Sequence, residues 1–188
     1  MVNISIVASG SRGDVQPYVA LGKGLKDAGH HVRVVAGESF SVLVTGAGLE
    51  FCSTGESIED IIQTDEWRKV TESGNFLKIL AKMQSEMKER SGDMARKTVE
   101  MLKGSDMILA GAGILGSFAF AEKNKIPIVQ AYVFPYTPTA EFPSPLVPKL
   151  PVGGVVNKLS FHVMRQMLWQ TSKMSDSKVR EMIGTGSG

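Results

Sequence analysis

The chain lacks most of the features of an extracellular, metal-binding or membrane-spanning protein. Among its 188 residues there is one cysteine, Cys52, which cannot close an internal disulfide bond and fits a reducing cytoplasm. The three histidines do not have the spacing of metal ligands. A run of about 18 apolar residues, which a transmembrane helix needs, is missing. No basic leader followed by a hydrophobic stretch begins the sequence. We therefore expect a cytoplasmic protein without a bound metal.

The charge balance excludes little else. A formal net charge of +2 is too small to indicate a nucleic-acid partner. Apolar residues make up 43% of the chain and charged residues 21%, as is typical of a soluble globular protein. The length suits one domain with a sizeable core. We place that domain at residues 1–183, and the "GTGSG" ending over 184–188 reads as a flexible linker or an added tail.

Short apolar strands alternate with helical segments along the chain. The predicted strands are residues 2–7, 31–36, 49–52, 107–110 and 127–132. The predicted helices are 15–28, 38–45, most of 56–103 with a break or kink at Gly92, 115–124, and 155–183 with a possible break near 172–177. Strands of this kind indicate a parallel sheet covered on both faces. The sequence thus predicts an α/β fold with a Rossmann-like, doubly wound parallel sheet.

In such a sheet, ligands bind beyond the carboxyl ends of the strands. We expect one rim to collect four loops, at 9–14, 36–38, 111–113 and 133–151. The last of these contains six prolines within 134–151 and shows no periodicity, so it is predicted to be a long loop.

The first loop, "ASGSRGDVQP" at 8–17, allows several interpretations. An integrin-binding Arg12-Gly13-Asp14 motif would need an extracellular protein. A dinucleotide site would use Gly10 and Gly13, with Glu38 on a ribose hydroxyl, but Ala8 stands where the first glycine of G-x-G-x-x-G belongs. Asp14 could instead cap the following helix, or act as a general base at the rim.

The order of residues around this loop resembles a known family. The stretches that carry the likeness are "GSRGDVQPYVALGKGLKDAGHHVRVVA" at 10–36, "GAGLEF" at 46–51 and "EKNKIPIVQAYVFPYTPTAEFPSPLVP" at 122–148. Together they resemble the amino-terminal, acceptor-binding domain of GT-B glycosyltransferases. The group that contains sterol glucosyltransferases and glycopeptide-antibiotic glycosyltransferases is the most similar.

The resemblance implies an inverting transfer from a UDP-sugar or another nucleotide sugar. It implies that Asp14 is the base that deprotonates an acceptor hydroxyl, and that no cofactor or metal is needed. The implied acceptor-binding residues are Gly10, Ser11, Arg12, Gly13, Gly111, Gly113, Phe134, Tyr136, Thr137 and Phe142. Arg12 could also meet a donor phosphate or be a solvated charge.

The resemblance also implies a partner lobe. A carboxyl-terminal donor domain with a glycine-rich nucleotide-sugar motif is not found in these residues, so we expect the chain alone to be inactive. The implied acceptor is a hydroxylated, hydrophobic small molecule or lipid. A nicotinamide-binding module and a non-catalytic binding domain remain alternatives.

The last predicted helix carries an apolar stripe of Val156, Leu159, Val163 and Met167. Packing against the core is the favoured interpretation. The alternative is adsorption to an anionic membrane, as a peripheral protein with a lipid-like acceptor would require.

Overall fold

The computed structural model describes residues 1–55, 64–73, 76–111, 116–145 and 153–184. Five strands form one parallel sheet in the order β3-β2-β1-β4-β5. They are β1 (Asn3–Val7), β2 (His31–Ala36), β3 (Glu50–Ser53), β4 (Met107–Ala110) and β5 (Ile128–Gln130). The order reverses between β1 and β4, which is the position where a Rossmann-like sheet opens a crevice at its carboxyl edge.

Helices cover both faces of this sheet. They are α1 (Arg12–Asp27), α2 (Ser41–Gly46, after a 3₁₀ turn at Glu38–Phe40), α3 (Asp65–Glu72), α4 (Phe76–Leu102), α5 (Ser117–Asn124) and α6 (Gly154–Ile183). Within the described residues, no helix is long and apolar enough to cross a bilayer.

Alternate strand residues enter two separate cores. Ile6 and Val34 are fully buried in one cluster with Val15 of α1. Ile108 lies in the other cluster, which contains Leu102 of α4 and Val179 of α6. Because neighbouring residues of a strand point to opposite faces, these two clusters confirm the predicted doubly wound architecture.

Helix α1 begins at Arg12, three residues earlier than predicted. The expectation that Arg12, Gly13 and Asp14 lie in a loop is therefore wrong. Ser11 is the N-cap residue and Asp14 is the third helical residue, so the pair forms a capping box with aspartate in place of the usual glutamate. This cap starts the helix immediately after the turn at Gly10.

Two predicted interruptions are absent from the helices as described. Helix α4 continues through Gly92, and α6 continues through residues 172–177. Helix α4 packs along α6, and it buries small side chains at Ser91, Ala95 and Thr98. Packing of this stripe outweighs the low helix propensity of one glycine.

One boundary differs in a way that matters for the site. Strand β5 ends at Gln130, so Tyr132 lies in the following loop and not in the sheet. Helix α6 ends at Ile183, as predicted, and Gly184 with a φ of 73° is its C-cap. The rest of the predicted tail, 185–188, lies outside the described residues.

Candidate functional site

Asp14 lies at the carboxyl edge of the sheet with one of its two oxygens occupied. Its Oδ2 accepts hydrogen bonds from the backbone N–H of Ser11 at 2.8 Å and from the Ser11 hydroxyl at 2.9 Å. Gly10 has a φ of 122°, and a Cβ there would overlap the Asp14 carboxylate. Gly10 thus gives the carboxylate the space in which it folds back on the turn.

The second oxygen of Asp14, Oδ1, accepts no hydrogen bond from any residue that the structure describes. The carboxylate is half-buried, and its charge acts on two tyrosine hydroxyls. Burial raises the pKa of Tyr18, and the negative charge of Asp14 raises it further. Asp14 has the same effect on Tyr136, although it is a smaller cause there than burial and the neighbouring tyrosines. The helix cap therefore uses half of the carboxylate and leaves the other half available.

Tyr18 connects three segments of the rim. It lies one turn after Asp14 on α1 and is 4% exposed, and its hydroxyl donates to the Ala131 carbonyl, just after β5. A Cβ at Gly111, just after β4, would come within 2.6 Å of the Tyr18 hydroxyl oxygen. Gly111 is therefore required for the close approach of Tyr18, which is a packing role.

Tyr136 forms the wall of the site together with two other aromatic rings. Its ring stacks on Tyr132 with centroids 3.9 Å apart and on Phe134 with centroids 4.9 Å apart. Its hydroxyl oxygen is buried and makes no hydrogen bond to a described residue. Burial and the neighbouring Tyr132, Tyr18 and Asp14 raise the pKa of Tyr136 to about 12, so the hydroxyl keeps its proton.

The other predicted site residues are less closely grouped. Arg12 is exposed and its Nε donates to Gln16 at 3.1 Å, while Thr137 is exposed in the loop. Phe142 packs edge-on against Phe161 of α6, with centroids 6.1 Å apart, and is 44% exposed. Gly113 lies outside the described residues.

Sequence reasoning missed Tyr18 and Tyr132. Tyr18 follows Val15 on the apolar face of α1 and looks like a core residue, while Tyr132 was assigned to β5. Tyrosine is an unusual choice in an otherwise aliphatic stripe, because a buried hydroxyl needs a partner. That signal could have marked Tyr18.

Two grooves lie at the opposite, amino-terminal edge of the sheet. One has a volume of about 620 Å³ and is lined in part by Lys103, Asp106 and Lys125. The other is about 160 Å³ and is lined in part by Ser5 and Arg33. Within the described residues, no group of three or more His, Cys, Asp or Glu side chains could hold a metal ion.

The sheet order and the helices on both faces define a Rossmann-like domain, the fold of the amino-terminal halves of GT-B glycosyltransferases. Residues 4–143 match the glycosyltransferase family 28 N-terminal domain, and the chain belongs to this family. The predicted resemblance is thereby confirmed.

Curated relatives are sterol 3-beta-glucosyltransferases. The protein of Debaryomyces hansenii is 28% identical over 184 residues, which are 97% of this chain and 11% of that protein. The protein of Komagataella phaffii is 28% identical over 183 residues, 95% of this chain and 14% of that protein. The chain therefore spans only a small part of the relatives' length.

Solved structures share the fold. The glycosyltransferase SsfS6 of Streptomyces sp. SF2575 superposes with a TM-score of 0.58 at 19% identity, covering 98% of this chain and 47% of that one. CalG4, the calicheamicin glycosyltransferase, gives a TM-score of 0.53 at 15% identity, covering 97% and 45%. In both, the likeness covers slightly less than half of the larger enzyme.

Proposed function

We propose that this chain is the acceptor-binding domain of an inverting glycosyltransferase that uses a nucleotide sugar, with Asp14 as its general base. The observation that carries the proposal is that only one of the two Asp14 carboxylate oxygens accepts hydrogen bonds from described residues. In a glycosyltransferase family 28 chain, Asp14 lies at the ligand-binding edge of the sheet, held by its Oδ2 while Oδ1 has no partner among the described residues.

The chemistry needs one proton acceptor. Asp14 Oδ1 takes the proton of the acceptor hydroxyl, and the hydroxyl oxygen forms a bond to the anomeric carbon of the sugar. The bond between that carbon and the phosphate oxygen breaks, the nucleoside diphosphate leaves with the electron pair, and the configuration inverts. Two hydrogen bonds from Ser11 hold the carboxylate in place, so little rearrangement is needed when the acceptor arrives.

An apolar acceptor suits the wall of the site. Phe134, Tyr132 and Tyr136 present stacked rings, and the charge of Asp14 acts on Tyr136. Aromatic walls with a few polar groups are typical of small-molecule sites. The curated relatives are named for transfer to sterols. A sterol, a lipid or a polyketide-like aglycone with one reactive hydroxyl is the acceptor class that we propose.

The donor, a UDP-sugar or another nucleotide sugar, would be bound mainly by a carboxyl-terminal domain outside these residues. One solved structure of the similar enzyme SsfS6 is a complex with thymidine diphosphate. We further propose that Arg12, exposed in the first turn of α1, contacts a phosphate of the donor. We propose that the reaction takes place in the cytoplasm and needs neither a metal nor a cofactor.

The test joins this chain to the donor domain of the Komagataella phaffii relative and measures glucose transfer from UDP-glucose to a panel of sterols. Transfer by the joined protein, with none by either part alone, is the expected result. If the joined protein is active and its Asp14→Asn variant transfers at the same rate, Asp14 is not the base. That result would favour a non-catalytic acceptor-binding domain.

A second measurement separates the nicotinamide alternative. Calorimetric titration of the chain with NAD⁺ and NADH is expected to give no binding heat, since Ala8 replaces the first glycine of the dinucleotide motif. Tight binding of either form would instead support a dinucleotide-binding module.

A further inference from the structure

The apolar stripe of α6 is on the surface and not in the core, contrary to the favoured sequence interpretation. Leu159 is 57% exposed and Val163 is 48% exposed. The residues that share this exposed surface, here called the α6 stripe, are Val155, Val156, Leu159, Val163 and Met167. Their spacing of three and four residues places them along one side of the helix.

The buried side of α6 is occupied by a different set of residues, which includes the polar Asn157 and Ser160. Asn157 donates from Nδ2 to the Ala140 carbonyl at 2.8 Å, and Ser160 Oγ accepts from the Ser144 backbone N–H at 2.8 Å. Phe161 is completely buried on this side. Because the proline-rich loop supplies partners for the polar groups, this side faces the domain and the α6 stripe faces outward.

The charged residues near the stripe along the chain are basic. The sequence contains no aspartate or glutamate from Phe142 to Ser175. Lys158 and Arg165 are exposed on α6, on a flank next to the stripe. Trp169, 48% exposed, lies on the same flank. An apolar strip bordered by basic residues and a tryptophan is the composition that binds at the headgroup boundary of a bilayer.

We propose that the α6 stripe docks on an anionic lipid bilayer. The valine, leucine and methionine side chains enter the boundary of the acyl chains, while Lys158 and Arg165 bind anionic headgroups. A symmetric second copy is a poorer occupant, because a twofold contact would bring the same basic flank against itself. The proposal does not depend on the transfer reaction.

The test is a flotation assay of the 188-residue chain with two kinds of vesicle. One is phosphatidylcholine alone, and the other is an equal mixture of phosphatidylcholine and phosphatidylserine. We expect binding to the mixed vesicles to be about tenfold tighter and to weaken at high salt. Val163→Asp should reduce it at least about tenfold, because it places a carboxylate in the apolar strip.

Matched controls separate the stripe from general surface effects. Val42 is 80% exposed on α2, and Val42→Asp should leave vesicle binding unchanged. Lys158→Glu should weaken binding, whereas Lys123→Glu, at an exposed lysine of α5, should not. A blue shift of tryptophan emission with mixed vesicles should disappear in Trp169→Phe, since the other tryptophan, Trp67, is only 6% exposed.

Two results would overturn the proposal. One is no binding to mixed vesicles, or binding that Val163→Asp leaves undiminished. The other is a concentration-dependent dimer in sedimentation velocity that Val163→Asp dissociates, without vesicle binding, because the stripe would then belong to a second copy. Circular dichroism spectra that match the unsubstituted chain establish that each variant is folded.

Discussion

The two edges of the sheet satisfy their polar groups in different ways. At the amino edge, Asp106 accepts from both the backbone N–H and the side chain of Asn3 at 2.7 and 3.0 Å. Arg33 donates to Glu50 at 2.7 Å and to the Met101 carbonyl at 2.7 Å. These charged groups neutralise or bind one another, and their role is to hold strands and helices together.

At the carboxyl edge the pairing is incomplete. Asp14 Oδ1 and the buried Tyr136 hydroxyl have no hydrogen-bond partner in the described part of the chain. A buried hydroxyl without a partner costs free energy, and a bound ligand would supply that partner. Among the described residues, the amino edge has one buried atom without a partner as well, Nδ1 of His30, just before β2. Two grooves lie at the amino edge, so the two edges make different predictions about where an acceptor binds.

Aspartates at the two edges should therefore respond differently to the same substitution. In the joined enzyme, Asp14→Asn should lower kcat by a factor on the order of 10² to 10⁴, because the general base is lost. Asp106→Asn should leave kcat unchanged and lower the free energy of unfolding by about 1 kcal/mol, since it weakens the bonds to Asn3. Steady-state kinetics and urea denaturation measure the two effects, and equal kcat losses in both variants would remove the distinction.

Two glycines test the packing around Tyr18: Gly111 lies against its phenol, whereas Gly24 has open space around it. Gly111→Ala should lower the free energy of unfolding by about 1–3 kcal/mol, because the new methyl group collides with the Tyr18 phenol. Gly24→Ala, in α1 with nothing within 4 Å of the added methyl group, should raise it by about 0.5–1 kcal/mol. Thermal or urea unfolding checks both signs, and a stabilising Gly111→Ala would contradict the close approach.

Tyr18 and Tyr136 differ in whether the hydroxyl has a partner among the described residues. Tyr18→Phe should lower the free energy of unfolding by about 1–2 kcal/mol, because the Ala131 carbonyl loses its donor. Tyr136→Phe should leave the stability unchanged or raise it slightly, while the KM for the acceptor rises about fivefold. If Tyr136→Phe destabilised the chain as much as Tyr18→Phe, its hydroxyl would have a partner in the free protein.

The smallest expected effect is a pH dependence. The pKa of Tyr136 rises from 10.0 to about 12 on folding, so the folded state keeps a proton that the unfolded state releases. The resulting stabilisation is complete below pH 10 and is lost as the pH rises from 10 towards 12. Tyr136→Phe should therefore lose less stability over this range in urea denaturation, and an identical loss would show that burial does not raise this pKa.

Much of this picture could be predicted from the sequence. Apolar runs located the five described strands to within a few residues, because the strands are short and rich in aliphatic residues, and β1, β2 and β4 are mostly buried. The position of Asp14 after β1 followed from the same pattern. The hydrogen bond from Tyr18 to Ala131 spans 113 residues, and no local pattern carries that information.

The orientation of α6 was not predictable from the sequence pattern. Its apolar stripe predicted burial, but Asn157 and Ser160 are buried instead, because a loop distant in sequence supplies their hydrogen-bond partners. Periodicity identified the helix, while tertiary hydrogen bonds decided which side faces the domain.

The central claim is that the free oxygen of Asp14 receives the acceptor hydroxyl, and a crystal structure of the joined enzyme with a bound acceptor tests it most directly. The account expects the hydroxyl oxygen about 2.6–3.2 Å from Asp14 Oδ1, with the acceptor against Tyr136. An acceptor bound in the groove beside Lys103 and Asp106 at the amino edge, with Asp14 facing only Ser11, would contradict it.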